Sequence, residues 1–171
     1  MNAVVLSLGT NSGDRALNMR RMETEVAGIL EPPRRFSSLM ETAHVGEGER
    51  PPYYNRLVRG GYAGSPRDLL RQCQAIERKL GRTREGLYAP RTADIDILLF
   101  GGEEWAEADL VIPHPLLRGR RFCLAGLAEI AGELAVPGMC GTIGEAAAAS
   151  VLSMDDQEIT IIEEPAGREF P

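Results

Sequence analysis

The stretch from Ala89 to Gly101, APRTADIDILLFG, places two carboxylates, Asp94 and Asp96, inside an apolar run. Such a run reads as a buried strand, and strand side chains alternate, so residues two apart share a face. Both acids therefore point the same way, one pleat apart. Ionised carboxylates held that close repel and raise each other's pKa unless positive charge lies between them. Six arginines flank the stretch: Arg82, Arg84, Arg91, Arg118, Arg120 and Arg121. One arrangement is a pair of acids at a sheet end, satisfied by those arginines alone. Ile95, Ile97, Leu98 and Leu99 argue against simple solvation of the pair, and a divalent cation is the better counter-charge. Magnesium takes one or two carboxylates and completes its shell with water and substrate phosphates. Arginine forks match phosphate oxygens in pairs. Acids and arginines together point to metal-assisted transfer of a phosphoryl group.

Composition limits the alternatives. The 171 residues are 43% hydrophobic, enough for one domain with its own core. A formal charge of −6 argues against nucleic acid as a partner. No run approaches a membrane span. LGTNSGD lacks the GK[ST] of a phosphate-binding loop, so a nucleotide has to be held by side chains. Cys73 and Cys123 fall in apolar helical patterns and read as core residues; Cys140 leaves the count odd. The N-terminal MNAVVLSLG has neither a charged leader region nor a cleavage site. A reducing, cytoplasmic location is expected.

The elements that must position the acids follow from periodicity. Ala3–Gly9 is a strand, and Leu17, Met22, Val26 and Leu30 mark a helix that the EPP at 31–33 ends. Arg34–Val45 alternates as a second strand, and Tyr53–Ala63 forms a third. A second helix opens with Ser65 as N-cap, Pro66 at its first position and Asp68 completing a capping box. Its buried stripe is Leu69, Leu70, Cys73, Ile76 and Leu80, and Gly81 stops it. The strand carrying the acids is fourth. Beyond it the sequence predicts a small hairpin (EEWAEADLVI), a loop, a helix over FCLAGLAEIA, an Ala-rich helix at 143–151 and a strand at ITII. The order β-α-β-β-α-β is the ferredoxin-like, α+β pattern, a mostly antiparallel sheet with helices packed on it.

Specific residues now carry a resemblance. PRTADIDILLFG and the downstream IPHPLLRGRRF, with LGTN, Tyr53–Asn55 and the Gln74/Glu77 pair, follow in order and spacing the pattern of one enzyme family. The chain resembles the 6-hydroxymethyl-7,8-dihydropterin pyrophosphokinases of folate biosynthesis, from the first strand to about Ile130. The resemblance implies transfer of the β,γ-diphosphate of ATP, as one unit, to the pterin hydroxymethyl group with release of AMP. It implies that Asp94 and Asp96 hold two magnesium ions, one spanning the α- and β-phosphates, the other β and γ. Arg82 and Arg91 would act on the phosphates during transfer. Arg84, His114, Arg120, Ile97, Gln74 and Glu77 would contact the nucleotide. Gly9, Thr42, Val45, Tyr53, Asn55, Tyr88 and Phe122 would form the pterin site, with Tyr53 and Phe122 as stacking plates and Asn55 reading the ring edge. Asp96 would be the nearest carboxylate able to take the hydroxyl proton. For Glu77 and Gln74 a solvated helix face explains the pattern about equally well.

Several positions depart from the family pattern. The loop between Arg84 and Arg91 is shorter, Tyr88 stands where tryptophan is usual, and Ala89 replaces a glycine. Asp109 and Val111 stand where a basic and a hydroxyl residue are common, and Ala43–His44 replaces a proline pair. Two other readings remain at this point. A two-metal nucleotidyltransferase also uses a D-x-D strand, but it needs its glycine motif just before the acids and would release diphosphate. A non-catalytic ligand-sensing domain of the same fold has no need of paired acids. The expectation is one catalytic domain over residues 1–171, with 1–130 as its core, monomeric, taking ATP and the pterin as its small-molecule partners.

Overall fold

A computed structural model describes residues 1–43, 51–82, 91–153, 157–164 and 170. In chain order the elements are β1 (Asn2–Thr10), α1 (Arg15–Ala27), β2 (Glu31–Phe36), β3 (Met40–Thr42), β4 (Tyr53–Tyr62) and α2 (Pro66–Lys79). There follow β5 (Asp94–Phe100), the hairpin β6 (Trp105–Glu107) and β7 (Leu110–Ile112), then α3 (Arg121–Ala131), α4 (Ile143–Ser153) and β8 (Ile159–Ile161). The main sheet runs β5-β1-β4-β3-β8, with β2 pairing further along β4, and every pairing in it is antiparallel. This is the expected α+β, ferredoxin-like arrangement.

The sheet is covered on both faces, which is why β1 is apolar at nearly every position instead of alternating. Val4, Leu6 and Leu8 pack with Met19, Met22 and Val26 of α1 and with Leu69, Cys73 and Ile76 of α2. Val5 turns the other way, into a core built by Leu57, Leu98, Leu99, Phe122, Leu124, Leu127, Ile130 and Ile143. Cys73 and Cys123 are buried members of these cores, and burial pushes both thiols up to about 12. Among the described residues no helix is long and apolar enough to cross a membrane.

Three expectations are corrected. α1 stops at Ala27, not at the prolines, which lie inside β2. Proline has no N–H to give a ladder, and β2, bonded only to β4, is an edge that tolerates it. Leu17 is 42% exposed; Met19, Met22, Glu23, Val26 and Ala27 make the buried face of α1. The strand expected over 34–45 is two strands. Between them Ser37 donates its N–H to the Leu57 carbonyl and accepts the Leu57 N–H on Oγ, both at 2.9 Å. A side chain thus replaces a ladder partner, and the strand breaks.

Helix α2 forms as its sequence dictates. Ser65 Oγ accepts the Asp68 N–H at 3.1 Å, the Asp68 carboxylate reaches back to the Ser65 N–H, and Gly81 follows the helix at φ 83°. Ser65→Ala is expected to remove about 1 kcal/mol, the usual worth of such a cap. Thermal melting should then fall by roughly 2–4 °C.

A buried charge cluster sits on the α1 side. Arg56 of β4 is fully buried and donates to Glu23 of α1 at 2.5 Å and to Glu164 near the C-terminus. The Phe170 ring lies 5.0 Å from the guanidinium carbon and stacks on Phe36 at 4.5 Å. Glu164 and Phe170 are therefore packed against this cluster.

Candidate active site

Register places the site. Asn55 of β4, Gly9 of β1 and Asp94 of β5 are direct cross-strand partners, and Leu57, Ser7 and Asp96 form the next row. Met40 of β3 pairs with Asn55, and Thr42 stands two residues along the same face. Leu57 and Met40 belong to the α3 core, so this is the face that α3 covers further down. Burial along β5 alternates as the sequence predicts: Asp94 and Asp96 are half-buried, whereas Ile95 and Ile97 are buried in the opposite core. The strand begins at Asp94, and of the residues before it in the stretch from Ala89 only 91–93 are described.

Asp94 is gripped by arginine. Arg82 Nη1 lies 2.8 Å from its Oδ1, and Arg91 Nη1 lies 2.6 Å from its Oδ2. Arg82 also bonds the Glu77 carboxylate. Glu77 is not on a solvated face: it is buried and accepts the Ile95 N–H at 2.8 Å. β5 is the sheet edge, so the α2 carboxylate satisfies a strand N–H that has no ladder partner. Burial raises the Glu77 pKa, opposed by the Ile95 hydrogen bond and Arg82 and reinforced by the two aspartates. Arg91 is held by its backbone as well. Its N–H donates to Asn11 Oδ1 at 2.8 Å, and its carbonyl accepts the Asn11 N–H at 3.0 Å and the Thr10 hydroxyl at 3.3 Å. Thr10 and Asn11 are buried polar residues whose structural task sequence reasoning missed. LGTN marked the place without revealing that it clamps a segment some eighty residues away.

Asp96 differs. Among the described residues its carboxylate makes no hydrogen bond or ion pair, and its pKa is raised. Burial is the main cause and the Asp94 charge the second; His114, Arg120 and Arg91 pull it back only in part. An acid that is partly desolvated, beside another acid and without a bonded cation, is placed to receive a positive ion. Asp94, sharing its face, supplies a second carboxylate, and the donor set fits a hard cation that keeps water and phosphate ligands.

The remaining side chains converge on this end of the sheet. The His114 N–H donates to the Leu98 carbonyl at 3.0 Å, tying the loop to β5 two residues past Asp96. The Leu116 N–H donates to His114 Nδ1 at 3.2 Å, so the neutral ring carries its proton on Nε2. Arg120 is exposed and its guanidinium makes no bond among the described residues, while its charge acts on Asp96. Phe122 enters from the first turn of α3 and packs in the core with Leu57 and Met40. Tyr53 shares the strand face of Asn55. Asn55 is buried; its Nδ2 donates to Thr42 Oγ1 at 2.8 Å. A Cβ on Gly9 would stand 3.2 Å from Asn55 Oδ1 and 3.8 Å from Asp94 Cβ. Glycine there leaves a flat floor between the amide and the acid.

Some expected residues lie elsewhere. Ile97 turns its side chain into the α1–α2 core, so the alternation that brings Asp96 to the site removes Ile97 from it. Arg118 donates to the Pro137 carbonyl, away from the acids. Asp109 is exposed and bonded twice to Arg67 at 2.7 Å, and Val111 is exposed on β7. Gln74 is half-buried on α2, one turn before Glu77. Val45, Arg84 and Tyr88, with the loop that carries the latter two, lie outside the described residues.

Comparison with known proteins gives the family. The family described as 7,8-dihydro-6-hydroxymethylpterin-pyrophosphokinase matches residues 5–132. The chain is 38% identical over 137 residues to a 2-amino-4-hydroxy-6-hydroxymethyldihydropteridine pyrophosphokinase of Bacillus subtilis, covering 78% of this chain and 80% of that one. It is 36% identical over 141 residues to the protein of that name from Methylorubrum extorquens, covering 81% and 88%. A folate synthesis bifunctional protein of Arabidopsis thaliana is 35% identical over 130 residues, but the match spans 27% of its length. A solved HPPK-DHPS in complex with substrates superposes with a TM-score of 0.69 at 15% identity, covering 91% of this chain and 44% of that one. At that identity the likeness shows the fold. The family match over most of the chain, with relatives above 35% identity over four-fifths of their length, shows that this chain belongs to the 7,8-dihydro-6-hydroxymethylpterin-pyrophosphokinase family.

Proposed function

We propose that the chain transfers the diphosphate of ATP to the hydroxymethyl group of 6-hydroxymethyl-7,8-dihydropterin, releasing AMP, as a step of folate biosynthesis. The observation that carries this is the cross-strand row Asn55–Gly9–Asp94 beside Asp96. It sets a ring-reading amide and a flat floor next to a carboxylate pair that fits a cation. In the reaction the pterin hydroxyl oxygen bonds to the β-phosphorus, the bond from that phosphorus to the oxygen bridging to the α-phosphate breaks, and AMP leaves with that oxygen. The hydroxyl proton is lost, and Asp96 is the nearest carboxylate to accept it.

Asp94 and Asp96 are the residues that would hold magnesium, two ions in this reading. When bound, magnesium neutralises phosphate charge and makes the alcohol more acidic. The protein groups do the rest. Asn55 donates to Thr42, which leaves Oδ1 free to accept from the ring N–H and amino groups of the pterin edge. Tyr53 and Phe122 supply apolar faces for a flat heterocycle. His114 Nε2–H and the guanidinium of Arg120 are donors available to phosphate oxygens. Arg82 and Arg91 compensate Asp94, and their forked donors are also ones that would suit the oxygens of a triphosphate.

The test is incubation with ATP, magnesium and the reduced pterin alcohol, followed by nucleotide analysis. AMP in equal amount to pterin diphosphate is the expected result. Free diphosphate would identify a nucleotidyltransferase, and unchanged ATP a binding domain. For the floor, Gly9→Val is expected to raise the KM for the pterin about tenfold or more, since the added carbons meet Asn55 Oδ1. The KM for ATP should change far less, which steady-state kinetics in each substrate checks.

A further inference from the structure

The C-terminal segment touches the site from two sides. Helix α3, whose first turn carries Phe122, has Arg120 as its N-cap and no side-chain cap of its own. The first N–H groups of a helix have no intrahelical acceptor and need one from outside. Gln157, thirty-six residues further on, provides it: its Oε1 accepts the Arg121 N–H at 2.9 Å. Its Nε2 donates to the Gly119 carbonyl at 3.0 Å, and its own carbonyl accepts from the Arg121 guanidinium at 3.4 Å. The residues on either side of Arg120 are thus both tied to one side chain. Two residues later β8 begins, pairing Ile159 with Thr42 and Ile161 with Met40. The Ile162 N–H extends that contact to the Leu39 carbonyl at 2.9 Å. The segment that caps α3 is therefore laced to the strand that carries Thr42.

We propose that Gln157 is a positioning residue, which by capping α3 from outside fixes Arg120 and Phe122 against the strand bearing Thr42 and Asn55. The family match ends at residue 132, so Gln157 lies beyond it. Arg120, just before α3, is exposed, Phe122 in its first turn is buried, and among the described residues the Arg120 guanidinium has no bonded partner. Gln157 holds this turn in place of an N-cap side chain. Its effect is on substrate binding, because Arg120 and Phe122 contact substrates on the reading above, on which this inference rests.

The test compares Gln157→Ala with Gln157→Glu in the full chain. The alanine variant loses both side-chain bonds; the glutamate keeps an acceptor for the Arg121 N–H, with a charge suited to a helix N-terminus. Gln157→Ala is expected to raise the KM for ATP and for the pterin roughly fivefold, the factor a lost cap commonly sets. Its kcat should change less than about twofold, as uniform binding loss requires. Hydrogen exchange at the Arg121 amide should quicken by a similar factor. Gln157→Glu should restore both readings to near wild type. Unchanged KM values in Gln157→Ala, or a glutamate variant as impaired as the alanine, would overturn the proposal. Wild type runs in the same assay, so a wild type that makes no AMP removes the enzymatic reading instead. An active wild type beside an unaffected Gln157→Ala removes this inference alone.

Discussion

Asp96→Asn abolishes turnover, lowering kcat by roughly 10³-fold or more, and at the same time makes the unliganded protein more stable at neutral pH. The two halves have one cause. Asp96 is a partly desolvated carboxylate beside Asp94 with no bonded cation among the described residues. Its charge is a liability to the fold and an asset to a cation. Asparagine keeps the shape and removes the charge, so the fold gains and cation binding fails. The sign follows from linkage. The folded-state pKa of Asp96 lies above the ordinary carboxylate value, because burial and then Asp94 oppose ionisation. Its stabilising effect is complete below the unfolded pKa and is lost as pH rises through the folded one. Wild type and variant should therefore melt alike at about pH 3 and diverge toward about pH 7, the variant higher. Each kcal/mol relieved is worth roughly 2–4 °C for a chain of this size. Melting curves across that range without ligand, beside a magnesium-dependent AMP assay, check both. Turnover little changed at saturating magnesium would remove Asp96 from the mechanism. Asp94→Asn is a useful contrast, since Asp94 is already compensated by Arg82 and Arg91; neutralising it takes the carboxylate from Arg91 and leaves Arg82 with Glu77.

Glu23→Ala destabilises the protein by about 3 kcal/mol, a fall in melting temperature of about 6–12 °C. Arg56 is fully buried, and among the described residues its Nε has no acceptor. Burial lowers the Arg56 pKa, and the Glu23 charge and hydrogen bond counter that shift only in part. Removing Glu23 leaves a buried guanidinium held mainly by Glu164, which is itself 21% exposed. The pair is not thereby a large net stabiliser. Replacing both residues together, Arg56→Met with Glu23→Met, should recover most of the loss, because apolar side chains of similar volume avoid the desolvation that the ions suffer. Urea melts of the two singles and the double measure the coupling. If Glu23→Ala costs under about 1 kcal/mol, the cluster is solvated in a way its burial denies.

Much of this was legible beforehand, for a definite reason. Local signals act over a few residues, and where they are strong they decide the outcome. Ser65, Pro66 and Asp68 start α2 by hydrogen bonds that span one turn. The alternation in DIDI puts both acids on one face whatever the rest of the chain does. Local reading failed where a distant partner overruled it. The prolines at 32 and 33 looked like a helix stop and became an edge strand because β4 offers a partner on one side only. For Glu77 a solvated helix face and a nucleotide contact stood about equal; it is buried, its carboxylate accepting the edge N–H of Ile95.

The residue types and spacings alone determined the pair of acids, their common face, the arginine supply and the order of elements. Those properties depend on chemistry and periodicity that are local to the chain. Only the tertiary structure decided that Asp94 is shared by Arg82 and Arg91 while Asp96 has no such partner among the described residues. It alone brought Gly9 between Asn55 and Asp94, clamped Arg91 with Asn11, and delivered Gln157 to the start of α3. Each of these joins residues far apart in sequence. Cross-strand register and the packing of helices on both sheet faces set such contacts, and neither leaves a trace in any short window of sequence.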